Sequence, residues 1–409
     1  MSNAVKKLKQ SPENHSPKKP LIIDLSIKGD IFPSDEISNP FGGGEPPKTS
    51  NRIRNYRRIQ NWENFFLCSA LCSMAKAMGE DESIFNKEFF SAITGDMFAY
   101  LYSKDAPSDS GITNYFFVPQ VIKKCFAAFG YSCIYISNEY IRYNFRTVMD
   151  AIKASIDKGI PVLSWGMGNV TMGDGSHYDP LPEGSLIGGY EEGDVLQVNL
   201  YPGPERMAVD DDGYTAVTNG LNTVYGLFFL GEKIEKTDLR EVYRDVLNNI
   251  PVFLSLAPAE GNWYFKSKDN DQVTVVSGKE MYYFGKQAFD LWAEVLEDDY
   301  NFENKTDEEL ERICWELHCA PYCMVCTSDA YGYLIRMTKQ YPDMKVADRL
   351  LPFFKMIKDY KDEIWEYHGD FFPPMDKFRT HEFRAHIAGL LRKMGMVCDQ
   401  IIDGCQVGE

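Results

Sequence analysis

The spacing of apolar positions changes character along the chain. Residues 1–50 are rich in Lys, Ser, Pro and Gly, end in "NPFGGGEPPKTS" and hold one short apolar run, "LIIDLSI". That composition predicts a flexible tail with at most one strand. From Trp62 apolar residues recur at helical spacing, and Gly79 followed by "EDES" supplies a C-cap and a fresh N-cap. A second helix is predicted over about 84–93. "GITNYFFVPQVIKKCFAAFGYSCIYIS" reads as a helix ending at Gly130 and then a β-rich run. "RTVMDAIKASIDKG" is an amphipathic helix stopped by Gly159, and "IPVLSWG" a short buried strand. Between 183 and 254 the pattern predicts antiparallel strands: "GSLIGGYEEGDVLQVNLYPG" around an "EEGD" turn, then "TVYGLFFLG" and "NIPVFLSLAP". After about 278, "SGKEMYYFGKQAFDLWAEVLEDD" and the segments that follow it keep a 3.6-residue period and predict four or more helices.

This pattern predicts an α+β protein: a tail over 1–50, an α-then-antiparallel-β domain over 51–277 and a helical domain over 278–409. At 409 residues and 44% hydrophobic content the chain can bury a large core. The net charge of -17 sets the average surface against nucleic acid and anionic membranes, and against a strongly acidic protein partner unless the local basic patch of Arg52, Arg54, Arg57 and Arg58 overrides it. A small molecule or a peptide is the partner class the charge leaves easiest to accept. The ten cysteines, several in apolar contexts, fit a reducing compartment. "MSNAVKKLKQSPENHSPKKP" lacks an apolar leader and no segment is long enough to span a bilayer, so a cytoplasmic location is expected.

The order of a thiol-bearing helix "NWENFFLCSALCSMAKAMG", the strand "GIPVLSWG", the hairpin "LIGGYEEGDVLQV" and "NLYPG" resembles the papain-like fold of bacteriocin-processing peptidases. More closely it resembles the acyltransferases of butirosin biosynthesis, in which a papain-like domain is followed by helices; the likeness spans roughly residues 60–400 in layout. The resemblance implies a Cys at the head of the helix, a His opening a later strand, an orienting Asn and a preceding Gln that donates to the oxyanion. Counted from Gly79 and from Gln60, the nucleophile position is Phe66. Cys68 lies two residues on, about 200° around the helix, and Cys72 one turn further. Counted from Gly189 and Tyr190, the histidine position is Glu183; the nearest histidine, His177, stands in the polar loop "GDGSHYDP". Asn199 is placed for the orienting amide.

Two functions are therefore expected to compete. In the first, the catalytic set has degenerated and the cleft binds a small molecule or peptide against Trp62, Phe66, Trp165, Glu183 and Tyr190. In the second, an acyltransferase or amide hydrolase uses Cys68 with His177, oriented by Asn199 or Asp179, with Gln60 at the oxyanion. No cofactor is expected in either. The helical domain is expected to pack beside the cleft, making the ligand site inter-domain, and could dimerise. "CWELHCAPYCMVC" invites a zinc reading, but Cys319, Cys323 and Cys326 follow the spacing of one apolar helix face, with Pro321 as the element that could break it. His381 and His386 are off the spacing of one face. "GMGNVTMGDG" lacks the Lys-Ser/Thr of a phosphate loop, "VDDDGYT" is a hairpin turn, and the acidic run "LEDDYNFENKTDEELE" a solvated helix junction.

Overall fold

The computed structural model describes residues 49–55, 66–107, 110, 118–167, 170–171, 177–178, 184–199, 214–218, 220–222, 224–260, 263–268, 272–277, 280–326, 328–370 and 372–406. Outside these residues lie the expected tail with "LIIDLSI", Gln60, Trp62, Asp179, Glu183 and most of "VDDDGYT".

The chain is α+β. Two short strands, β1 (Asn51–Arg52) and β2 (Leu101–Tyr102), flank helices α1 (Phe66–Ala77) and α2 (Lys87–Thr94). Asn86 caps α2 by accepting the Phe89 N–H, and Gly95 at φ 90° ends it. Then come α3 (Gln120–Ala128), β3 (Tyr131–Ser137), α4 (Asn138–Tyr143), α5 (Phe145–Asp157), β4 (Val162–Trp165), β5 (Val170–Thr171), β6 (His177–Tyr178), β7 (Gly184–Glu191), β8 (Val195–Asn199), β9 (Thr215–Val217) and β10 (Gly226–Lys233). A seven-stranded sheet runs β3-β10-β4-β7-β8-β9, with β1 added to β7. Every pairing in it is antiparallel. The predicted "EEGD" hairpin is present: Glu191 faces Val195, and Gly193 and Asp194 adopt the positive φ that such a turn requires.

Alternation along the strands divides the sheet's side chains between two cores. Leu163, Trp165, Leu186 and Phe228 pack with α1, whereas Val162, Ile187, Tyr190, Val198 and Phe229 pack with Val148, Ile152 and Ile156 of α5.

Beyond β10 the expectation of continued strands fails. Residues Leu239–Leu254 form a helix, α6, capped by Asp238 and containing Pro251. Its buried face, Val242, Tyr243, Val246, Leu247, Ile250 and Phe253, has helical spacing that the closing β-branched run "NIPVFL" obscures when read alone. Strands β11 (Ala259–Glu260), β12 (Trp263–Lys268), β13 (Gln272–Ser277) and β14 (Met281–Phe284) follow. Residues 281–284, expected as helix, instead pair as β14 with β2 and β11. The helical third comprises α7 (Lys286–Glu297), α8 (Asp307–Cys314), α9 (Ala320–Cys326), α10 (Ala330–Gln340), α11 (Lys345–His368), α12 (Met375–Phe378) and α13 (His381–Gln406). A π turn, Trp315–Cys319, joins α8 to α9, and Pro321 sits without a break in the first turn of α9.

The two halves share one apolar core that runs from Leu67 to Ile401. Tyr102 ties them further, stacking on Trp292 at 5.5 Å and donating to the Leu317 carbonyl at 3.2 Å. Among the described residues no helix is long and apolar enough to cross a membrane.

Candidate functional site

The head of α1 lies against the start of β7, so close that a Cβ on Gly184 would fall 2.7 Å from the Leu67 Cα. Phe66 opens this helix. Cys68 turns into the interior: it is fully buried, and its thiol donates to Asp96 Oδ2 at 3.3 Å with Thr94 Oγ1 at 3.5 Å. Thr94 in turn donates to the same carboxylate oxygen at 2.8 Å. Burial, and then the Asp96 charge, hold the Cys68 thiol well above the usual cysteine range. Cys125 is pushed up for the same two reasons. This is the setting of a protonated packing thiol, the reverse of what a nucleophilic cysteine needs.

The other expected residues are dispersed. His177 faces Thr171 in the short β5–β6 pair, off the large sheet. Asn199, at the end of β8, is fully buried opposite Leu186 and so lies on the α1 face. Trp165 is buried on that face beside Tyr225, 5.3 Å between ring centroids. Tyr190 is on the other face, where its hydroxyl donates to Asp157 at 2.8 Å and Lys153 lies over its ring. The sheet therefore separates Trp165 from Tyr190, and the two cannot line one cleft. In the cysteine-rich segment, the π turn brings the Cys314 and Cys319 sulfurs to 3.6 Å inside the core. Among the described residues no group of three His, Cys, Asp or Glu side chains could hold a metal.

A pocket of about 330 Å³ does lie where the halves meet. Tyr100 comes from the N-terminal half; Tyr322, Cys326, Asp329, Lys361 and Trp365 come from α9, α10 and α11 and their junctions. The buried stripe of α11, Leu350, Phe354, Ile357, Lys361, Ile364 and His368, puts a lysine where the periodicity calls for an apolar residue. Lys361 is 8% exposed, and its ammonium donates to the carbonyls of Val325 at 3.2 Å and Ser328 at 2.7 Å, at the open C-terminal end of α9. Burial lowers its pKa from the ordinary lysine value, against the pull of Cys326, Asp329 and Asp362. Among the described residues its third N–H has no partner. Tyr322 steadies the wall by donating to the Lys361 carbonyl at 2.7 Å, and Lys358 pairs with Asp362 at the rim. Lys361 belongs to no sequence motif; a charged residue in the middle of an apolar stripe is the signal that marks it.

What this arrangement can do chemically is bind. An ammonium on an aromatic wall suits an anionic group; at the mouth Asp362 pairs with Lys358, and Asp329 accepts the Gly332 N–H at 2.9 Å and lies 3.8 Å from Arg336, so a cationic group would share these carboxylates with their present partners. No protein-family model matches the chain, and no curated protein aligns with it.

Proposed function

We propose that the protein binds a small amphoteric molecule, of amino-acid or short-peptide character, on a papain-like scaffold without thiol catalysis at Cys68. The observation that carries this reading is Lys361: a buried ammonium beside a pocket of about 330 Å³, with an N–H that no described residue accepts. The ligand carboxylate takes that N–H, its ring or alkyl part lies on Tyr100 and Trp365, and its amino group faces Asp329 and Asp362. An acyltransferase or amide hydrolase acting through Cys68 and His177 is disfavoured by the buried, Asp96-facing thiol.

The test is a fluorescence titration of the full chain with aromatic amino acids and with the matching amines that lack the carboxylate. Trp365, 44% exposed in the pocket wall, is the reporter, and Trp365→Phe removes its signal. The amino acids should quench saturably and the amines at least tenfold more weakly; Lys361→Met and Asp362→Asn should each weaken binding about tenfold, or 1.4 kcal/mol. Equal binding of amines and amino acids, or no saturable binding by any of them, overturns the reading.

A further inference from the structure

We infer that a second pocket, between α6 and the head of α11, is an anion site that takes the phosphoryl group of a soluble small molecule. It is independent of the Lys361 pocket and encloses about 410 Å³. In a protein of net charge -17, its wall carries Arg240, Arg244, Lys345 and Arg349 against the single carboxylate of Asp343, with the Asn248 amide beside them.

The cations are not all spent on neighbours. Arg240 pairs with Asp343. Arg244 gives only one nitrogen, Nη1, to Glu241, at 2.5 and 2.7 Å, which leaves its Nη2 edge for another acceptor. Lys345 donates to the Pro342 carbonyl at 2.8 Å and is 3.6 Å from Asp348, with both side chains solvated. Arg349 has no ion pair among the described residues, and its Nε is buried without an acceptor. A buried guanidinium N–H is seldom left unmatched, and the Arg349 side chain that carries this one lines the pocket.

The backbone points the same way. Lys345 and Val346, the first residues of the 24-residue helix α11, line the pocket, and Met344 at its head supplies no capping side chain. The Lys345 and Ala347 N–H groups are taken by the Asp343 and Met344 carbonyls at 3.0 and 3.1 Å, which leaves the Val346 N–H, at the positive end of the helix dipole, beside the same space as the arginines. Guanidinium forks from separate helices, together with a helix head, offer donors to three oxygens in different directions; that matches a phosphoryl group better than the two coplanar oxygens of a carboxylate. The volume leaves room for the organic part that carries it.

The probe is sodium pyrophosphate, titrated calorimetrically into the full chain at constant ionic strength. One saturable site is expected, weakened at least tenfold in Arg349→Gln and in Arg244→Gln. Lys355→Gln, an exposed cation paired with Asp359 elsewhere on α11, should leave affinity unchanged, as should Lys361→Met. Melting curves of each variant separate loss of binding from loss of fold. Absence of a saturable site, or affinity unaltered in both arginine variants, overturns the inference. Sedimentation with phosphatidylcholine vesicles containing phosphatidic acid distinguishes the source: Arg349-dependent pelleting assigns the site to a lipid headgroup and overturns the soluble ligand, whereas pyrophosphate binding without pelleting supports it.

Discussion

A thiol becomes a nucleophile only where its thiolate is stabilised, and the charged group nearest the Cys68 sulfur is itself a carboxylate, Asp96, at 3.3 Å. Iodoacetamide at pH 6, read by peptide mass spectrometry, should therefore leave Cys68 and Cys125 unmodified in the folded protein. Of the four partly exposed thiols, Cys133 and Cys323 should react first as pH is raised, ahead of Cys326 and Cys405, which burial pushes up to about 11, and denaturant should equalise all ten. Fast labelling of Cys68 at pH 6, lost on replacing His177, would restore the catalytic reading. The two most buried cations of the helical half, Arg384 and Lys361, differ in how fully their donors are matched. Arg384 is 1% exposed and fully engaged: Nε donates to Leu296 O at 2.9 Å, Nη1 to Phe378 O and Arg379 O at 2.9 and 2.7 Å, and Nη2 pairs with Asp299. Its stacking on Phe302 completes a structural role. Lys361, with two carbonyl partners, is not filled in this way.

At the scale of elements, the junction from β14 to α7 shows how tightly the added strand is tied to the rest. Gly285 sits at φ 53°, and a Cβ there would fall 2.2 Å from the Leu254 carbonyl at the end of α6. Gly285→Ala should cost about 3 kcal/mol, combining a left-handed backbone with a clash against main chain. Gly79→Ala, also left-handed at φ 79° but facing open space, should cost only about 1 kcal/mol. Urea unfolding midpoints of the two variants check the difference, and equal losses would remove the steric argument. The same junction marks where local pattern was and was not legible. Helices with caps and a clean apolar stripe, such as α2 and α5, and the Gly193–Asp194 hairpin could be read from residues that carry their own turn chemistry. By contrast α6 and β14 could not: "NIPVFL" is β-branched but is held helical by the face it shares with Tyr243 and Leu247, and "MYYF" becomes a strand because β2 lies beside it. Site residues obeyed the same division. Cys68 was found by its motif, yet its role depends on Asp96, which comes from beyond α2; Lys361 has no motif and shows only as a break in a stripe.

At the scale of the molecule, the helical half closes around a buried histidine pair that sets how stability depends on pH. His318, in the π turn, and His368, at the end of α11, meet Nε2 to Nε2 at 2.9 Å, and neither Nδ1 has a partner. Trp292, Tyr322, Phe378 and Phe383 from the surrounding helices form the wall, and among the described residues no carboxylate pairs with either ring. Such a contact requires one ring to donate and the other to accept, so the accepting imidazole is neutral when folded, and burial disfavours charge on either ring. Burial brings His368 down to about 4, and burial together with His368 holds His318 well below 6.5. In the unfolded chain both protonate near 6.5. Below that pH the unfolded state binds more protons than the folded one. Stability is therefore complete above about pH 6.5 and is lost as pH falls toward 4, by up to about 1.4 kcal/mol per pH unit for each histidine. Asp194, Glu297 and Glu309, whose folded values are lowered, add a loss that begins only nearer their unfolded values, about pH 4. The interval from pH 6.5 to 5 thus isolates the histidines. Urea unfolding across it should show the steep decline in the natural chain and a flattened one in a His318→Phe, His368→Leu double variant, which removes both titrating rings while keeping the core apolar. An identical slope in the two proteins would mean that the pair is not the group responsible.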